Sequence, residues 1–304
     1  MVTPVDCLIV GGGPAGLTAA IYAVRFRLSV VVIDAGQSRA AAIPCSHNHA
    51  GFPDGVSGSD LLARMRRQAA RFGAVIHHGR VERLVGSARQ FQADVQTQRL
   101  AARAVILATG VTNRRPPMPD DLHAAAISAG RLRYCPVCDG FEVTDQALAV
   151  IGTSDHGVKE ALFLRTYSDR MSLISPGRTH DLTAAQRRSL SDAGIAVLEG
   201  PAADFRLSPA GLSMALGGSR VVFDAVYPAL GSDIHSDLAR GLGAGLSDEG
   251  CITVDAHQRT SIPGLYAAGD VVIGLDQISH AMGEAGVAAT SLRNDLAQIQ
   301  PIRR

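Results

Sequence analysis

The sequence predicts an α/β fold of two parallel-sheet units, the second inserted into the first. Three observations predict it. A Gly-x-Gly-x-x-Gly turn at 11–16 follows an apolar run and opens a helical stretch. A related turn recurs at 152–157 in the same setting. A strand ending at Asp270, followed by a small-residue helix, stands near the C-terminus and completes the first unit. The 304 residues suffice for two domains of ordinary size.

Residues 5–10 read as a buried parallel strand, and an Ala/Leu-rich helix follows the turn to about Arg25. A second strand, 29–33, ends at Asp34. In this context the glycines allow a tight turn and let a pyrophosphate approach backbone N–H groups at a helix N-terminus. Asp34 is placed to bind ribose hydroxyls. A merely Gly-rich turn is the alternative, and the strand–helix–strand–acid order favours a dinucleotide in a Rossmann-like unit. An acid at Asp34 repels a 2′-phosphate, which suits FAD or NAD better than NADP.

Residues 43–60 are turn-rich and read as a loop. Cys45, His47 and His49 raise the question of a metal. No fourth ligand lies nearby at a familiar spacing, so the loop reads as polar cover for a cofactor and no metal is expected. Ser59 and Asp60 cap a helix to about Phe72. Short strands follow at 74–78, 81–84, 91–96 and 100–102, then a buried strand, 104–110, ending in Thr109-Gly110. Pro116, Pro117 and Pro119 mark a boundary. The first unit is therefore expected to span 1–116 and 245–304, and the inserted unit 117–244.

Cys135-Pro136-Val137-Cys138-Asp139 opens the insert. Two cysteines at this spacing close as a disulfide, open as a dithiol and store two electrons. Half a zinc site is the competing reading, and no second cysteine pair exists to complete it. Between two dinucleotide-type units, the pair points to flavin-linked dithiol/disulfide exchange. Asp139 reads as a general acid–base group, as a helix N-cap, or as both.

The insert continues with a strand at 147–151 and the turn 152–157, where Ser154 replaces the middle glycine. A helix to about Tyr167 and a strand at 171–174 follow. Ser175-Pro176-Gly177 then offers neither an acid for an NAD ribose nor an Arg pair for an NADP phosphate. A helix at 182–193 and strands near 195–198, 203–207, 212–216 and 220–227 complete the unit. The Gly-rich stretch 231–250 crosses back. After the strand ending at Asp270, Gln277 and Ile278 open a helix running towards Leu296.

The formal net charge is +1, so nothing favours nucleic acid or an anionic membrane as partner. The apolar run 8–24 is broken by Gly11–Pro14 and reads as strand, turn and helix rather than a membrane span. Five cysteines with one close pair suit a reducing cytosol, so a cytoplasmic location is expected. Cys7 and Cys251 read as inert core residues, Cys45 as a loop residue without a role, and His280 as a packing or surface residue with proton tuning as the alternative.

In order and spacing, the residues 11–16, Thr109-Gly110, Cys135–Asp139, 152–157, Ala268-Gly269-Asp270 and Gln277 resemble the low-molecular-weight thioredoxin reductases along the whole chain. The resemblance implies an FAD-dependent dithiol/disulfide oxidoreductase, a homodimer whose domains rotate, and a thioredoxin-like protein or a small dithiol/disulfide as partner. It implies that Gly11, Gly13 and Gly16 hold the FAD pyrophosphate, that Asp34 holds the adenosine ribose, and that Asp270 holds the ribityl region. Asn48 and Gln277 would face the flavin ring, with Pro14, Ala15, Thr109, Gly110 and Ile278 in the same cofactor-binding set. Cys138 would face the flavin, Cys135 would attack the substrate disulfide, and Asp139 would hand protons to the departing thiolate. NADPH or NADH is the expected donor. Ser154 and Ser175–Gly177 stand where the family has a glycine and a His-Arg-Arg cluster. They keep open a dithiol oxidase that uses oxygen, or a reductase fed by another donor such as ferredoxin. A flavoprotein redox sensor without turnover is the third reading.

Overall fold

The computed structural model describes residues 4–88 and 90–299. The first half runs β1 (Val5–Val10), α1 (Pro14–Arg25), β2 (Val30–Asp34), α2 (Gly58–Arg71), β3 (Val75–His78), β4 (Val81–Ser87), β5 (Gln90–Val95), β6 (Gln98–Leu107) and β7 (Val111–Asn113). Then come α3 (Asp120–Ser128), α4 (Pro136–Asp139), β8 (Leu148–Ile151), α5 (Ser154–Leu164), β9 (Met171–Ile174), α6 (Ala184–Asp192) and β10 (Ala196–Leu198). The chain closes with β11 (Ala203–Ser208), β12 (Gly211–Leu216), β13 (Ser219–Phe223), β14 (Ala225–Pro228), β15 (Ser232–Ile234), α7 (Asp237–Gly241), β16 (Leu265–Ala267) and α8 (Ile278–Ala297). Among the described residues, no helix is long and apolar enough to cross a membrane.

The first sheet has the order β3-β2-β1-β6-β5-β4, with β16 also paired to β6. Strands β3, β2, β1, β6 and β16 are parallel, and β4, β5 and the start of β6 form an antiparallel meander. Parallel strands covered on both faces read as continuous apolar runs, which β1 and β2 are. One face is covered by α1 and α8 through alanines, among them Ala15, Ala19, Ala23, Ala281, Ala285 and Ala288, all buried. The other face packs Leu8, Val10 and Val31 against Leu84, Phe91 and Ile252. The two strands expected at 100–102 and 104–110 are one strand, β6, which ends at Leu107. Its first half pairs with β5 and its second half with β1 and β16, so one long strand serves two partners.

The inserted unit has a parallel sheet β10-β9-β8-β14 and a meander β11-β12-β13. The strand expected at 220–227 is two strands on different sheets. Asp224 divides them, and its Oδ2 accepts the Ala147 N–H at 2.8 Å and an Arg170 N–H at 3.1 Å. Helix α2 starts before Ser59, because Ser57 is its cap and accepts the Asp60 N–H at 3.1 Å. Helix α5 starts at Ser154, four residues earlier than expected, and ends at Leu164. The antiparallel pair β7–β15 carries the chain out of the first unit and back. Ala239 and Ala244 lie in the core of the first sheet.

Helix α5 places Glu160 in the inserted unit with its Oε1 buried and without a hydrogen-bond partner. The exposed His156 imidazole is 3.9 Å from the other oxygen. Burial pushes the Glu160 carboxyl from 4.5 up to about 7. A raised carboxyl contributes stability below its unfolded value, and that contribution is lost as pH rises through the folded value. Glu160→Gln should therefore raise the unfolding free energy by on the order of 1–3 kcal/mol at pH 8 and change little at pH 4. Chemical denaturation at the two pH values checks this, and an equal effect at both would refute it.

Candidate active site

The first glycine turn is built by close approach. Gly11 has φ +111°, and a Cβ there would lie 2.1 Å from the Ala108 carbonyl oxygen. Pro14 then takes the first helical position of α1, where its missing N–H costs nothing. The N-cap, Gly13, offers no side chain to the turn, and the first turn carries no acid. The helix N-terminus is thus left with free donors and partial positive charge. It opens into a cavity of about 820 Å³, in the range of cofactor pockets.

Gly11, Gly13, Pro14, Ala15, Asp34, Asn48, Thr109, Gly110, Asp270, Gln277 and Ile278 line this cavity, together with Cys135, Cys138 and Asp139. Gly16 does not. A Cβ on it would meet the Gly11 carbonyl oxygen at 1.9 Å, so it serves the packing of α1 on the turn. Asp34 is buried at the end of β2. Its Oδ1 accepts the Gly36 N–H at 2.9 Å, and its Oδ2 pairs with Arg66. Each oxygen keeps a lone pair for a ribose hydroxyl. Asp270 pairs with Arg39 at 3.1 Å, and Arg39 also holds Asp276 at 2.8 Å. Burial and the Asp276 charge push the Asp270 carboxyl up. The uncapped helix N-terminus, the acid at the end of β2 and the volume of the cavity fit FAD.

The other end of the cavity holds sulfur. Cys135 and Cys138 form a disulfide. Pro136 opens the single turn α4, and the Cys135 Sγ caps it by accepting the Cys138 N–H at 3.2 Å. Asp139 therefore ends this helix and is not its N-cap. The Gln277 amide, at the start of α8, donates to both sulfurs at 3.2 Å. Asn48 holds that amide in turn, donating to Gln277 Oε1 at 2.9 Å and to the Val137 carbonyl at 3.4 Å. The disulfide, carried by the inserted unit, is thus gripped by two side chains of the first.

Asp139 is held between two groups that spacing did not reveal. Its Oδ2 accepts from Arg133 at 2.8 Å and its Oδ1 from the Tyr227 hydroxyl at 2.9 Å. Burial pushes its carboxyl up, against the Arg133 charge and the Tyr227 hydrogen bond, which pull it down. Tyr227 is fully buried on β14, 88 residues away in sequence. His235 is a further cavity residue the motifs missed. Its Nδ1 lies 3.0 Å from the Thr109 carbonyl and so donates to it, and its Nε2 lies 3.0 Å from the Thr112 hydroxyl. The neighbouring Thr109 hydroxyl donates back to the His235 carbonyl at 2.6 Å.

The remaining candidates scatter. Cys7 is fully buried, and burial pushes its thiol far up. Cys251, expected in the core, is only partly buried in an irregular segment. Cys45 is exposed. His49 reaches Ser279 at 3.1 Å and stacks on Phe52. Among the described residues, no three His, Cys, Asp or Glu side chains are grouped to hold a metal. His280 pairs with the buried Glu284 at 3.0 Å, and Glu284 accepts the Gly269 N–H at 2.7 Å next to Asp270.

The model of the pyridine nucleotide-disulphide oxidoreductase family matches residues 5–285. A thioredoxin reductase of Mycolicibacterium smegmatis is 33% identical over 283 residues, covering 88% of each chain. One from Listeria monocytogenes is 30% identical and covers 97% of this chain and 95% of its own. The crystal structure of thioredoxin reductase from Streptococcus pyogenes superposes with a TM-score of 0.89 at 27% identity, covering 97% of this chain and 98% of that one. The chain belongs to the pyridine nucleotide-disulphide oxidoreductase family, as an FAD-dependent disulfide oxidoreductase of the low-molecular-weight thioredoxin reductase type.

Proposed function

We propose that the Cys135–Cys138 pair passes two electrons between FAD and the disulfide of a thioredoxin-like protein. The observation that carries this reading is the disulfide's place in the wall of the cavity that begins at the glycine turn. FAD bound there supplies a two-electron carrier at the sulfur end. Gly11, Gly13, Pro14, Ala15, Thr109 and Gly110 would hold it, Asp34 and Asp270 would bind its hydroxyls, and Asn48, Gln277 and Ile278 would face its ring.

On the substrate side, the Cys135 thiolate attacks the substrate disulfide. A mixed disulfide forms, and one substrate sulfur leaves with the proton of Asp139. The Cys138 proton passes to Asp139, and the Cys138 thiolate displaces the second substrate sulfur. That sulfur takes the proton from Asp139 as the Cys135–Cys138 disulfide closes. Two electrons and two protons reach the substrate, and the reverse order oxidises a dithiol. A protein substrate is supported by the relatives' names and by the apolar side chains beside the pair, Phe141 at 79% and Val137 at 48% exposure. A small dithiol is the other substrate of the same chemistry. The family resemblance also supports a homodimer. Three free cysteines, Cys7, Cys45 and Cys251, support a reducing compartment such as the cytosol.

Cys135→Ser and Cys138→Ser should each abolish dithiol/disulfide turnover while the purified protein keeps stoichiometric FAD. Flavin absorbance against protein concentration, with a thiol-exchange assay, decides it. Loss of FAD, or turnover within a few-fold of wild type, would sink the assignment.

Asp139 must be protonated to donate, so turnover should fall as pH rises through its raised value. Asp139→Asn should lower the rate by ~10²-fold or more and remove that limb. Arg133 pulls the Asp139 carboxyl down, so Arg133→Gln should move the limb to higher pH. A pH–rate profile unchanged in Arg133→Gln would show that Arg133 does not position or tune the acid.

A further inference from the structure

The two glycine turns of this chain are in opposite states. The first is uncapped and opens on the large cavity. None of residues 152–157 lines that cavity. Instead, segment 175–181 folds from the end of β9 across the N-terminus of α5 and delivers Asp181 to it. The Asp181 carbonyl accepts the Ser154 N–H at 3.1 Å and the Thr153 hydroxyl at 3.3 Å. Its own N–H donates to Thr153 Oγ1 at 2.9 Å. Its carboxylate accepts from the Ser154 hydroxyl at 3.3 Å. A second acid, Asp155, stands in the same first turn and is held by the Gln186 amide at 2.5 Å.

The segment is anchored along its length. Ser175 is fully buried and donates to the Thr179 carbonyl at 2.8 Å. The His180 N–H donates to Glu199 at 3.0 Å, and its Nε2 donates to the Leu198 carbonyl at 3.0 Å. Ser154 itself holds φ +53°, a left-handed conformation that side-chain-bearing residues rarely adopt.

A dinucleotide pyrophosphate binds such a turn through its backbone N–H groups and the positive end of the helix. Here the Ser154 N–H is taken, and two carboxylates stand where the phosphates would bring negative charge. NADH and NADPH do not fit this turn. We infer that Asp181 is a built-in anion of the second turn and is the residue that makes the inserted unit refuse nicotinamide dinucleotides. The inference rests on the flavin–disulfide reading above and narrows it: the flavin's electron partner is not a nucleotide bound at residues 152–157.

The test uses the FAD-loaded full chain. Calorimetric titration with NADP⁺ and with NAD⁺ should give no saturable binding to wild type up to ~1 mM, the weak end of measurable affinity. Anaerobic mixing should leave the flavin oxidised with NADPH or NADH and bleach it with dithiothreitol. Asp181→Gly should gain binding by at least tenfold, and Asp181→Asn, which keeps the backbone bonds, by less. Saturable micromolar binding to wild type would overturn the inference and needs no variant. Absence of binding in wild type and in a folded Asp181→Gly alike would overturn the role of Asp181. A flavin that dithiothreitol does not bleach would instead refute the flavin–disulfide reading.

Discussion

Small residues hold α1 and α8 together against the first sheet, and the site depends on that approach. Ala19, Ala20 and Ala23 of α1 and Ala285, Ala288 and Ala289 of α8 are buried with almost no exposed surface. Larger side chains would force the two helices apart, because packed interiors leave little free volume to absorb added methylenes. The packing brings two helix starts to one cavity: Gly13-Pro14-Ala15 of α1 and Gln277-Ile278 at the head of α8. One presents uncapped backbone donors. The other presents a side-chain amide to the sulfurs. A single packing decision thus sets the distance between the nucleotide end and the redox end.

The grip on the disulfide is a chain of hydrogen bonds across the two units. Ser46 donates to Asn48, Asn48 to Gln277, and Gln277 to both sulfurs. Each bond contributes little in net terms, about 1 kcal/mol, because water competes for the same groups. Their value lies in orientation. They set the face that the Cys-x-x-Cys turn shows to the cavity, while the paired strands β7 and β15 link the two units. Asp139 is managed by the same means from the other side. A cation and a phenol hold its two oxygens, while burial disfavours its charge. These opposing influences leave a carboxyl that protonates more readily than an exposed aspartate, next to sulfurs that exchange protons.

The two glycine turns keep one architecture and differ in what meets the helix N-terminus. In both, the glycines let a strand run into a helix at close quarters: Gly16 packs on Gly11, and Gly157 on Gly152. In the first, donors point into an open cavity. In the second, the chain's own Asp181 meets them. The inserted unit still performs its structural task, presenting Cys135 and Cys138 on the single turn α4 and its cap.

Local pattern determined much of this protein. Strand, glycine turn, helix and terminal acid are contiguous in sequence, so their periodicity and spacing were sufficient to place the strands and helices of the first unit, the cysteine pair and part of the cavity wall. The same holds for Asn48, Asp270 and Gln277, which a family-specific order marks out. Tertiary structure alone decided the rest, because the partners are far apart along the chain. Arg133 and Tyr227 on Asp139, Arg66 on Asp34, Arg39 on Asp270 and Asp276, and His235 under Thr109 carry no spacing signature. Gly16 matches the motif letter for letter, yet only the packing shows that it faces Gly11 rather than the cavity. Ser154 marked the second turn as altered in the sequence. That Asp181 closes it required the folded chain, since a hydrogen bond between residues 27 apart forms only when the loop between them has been placed.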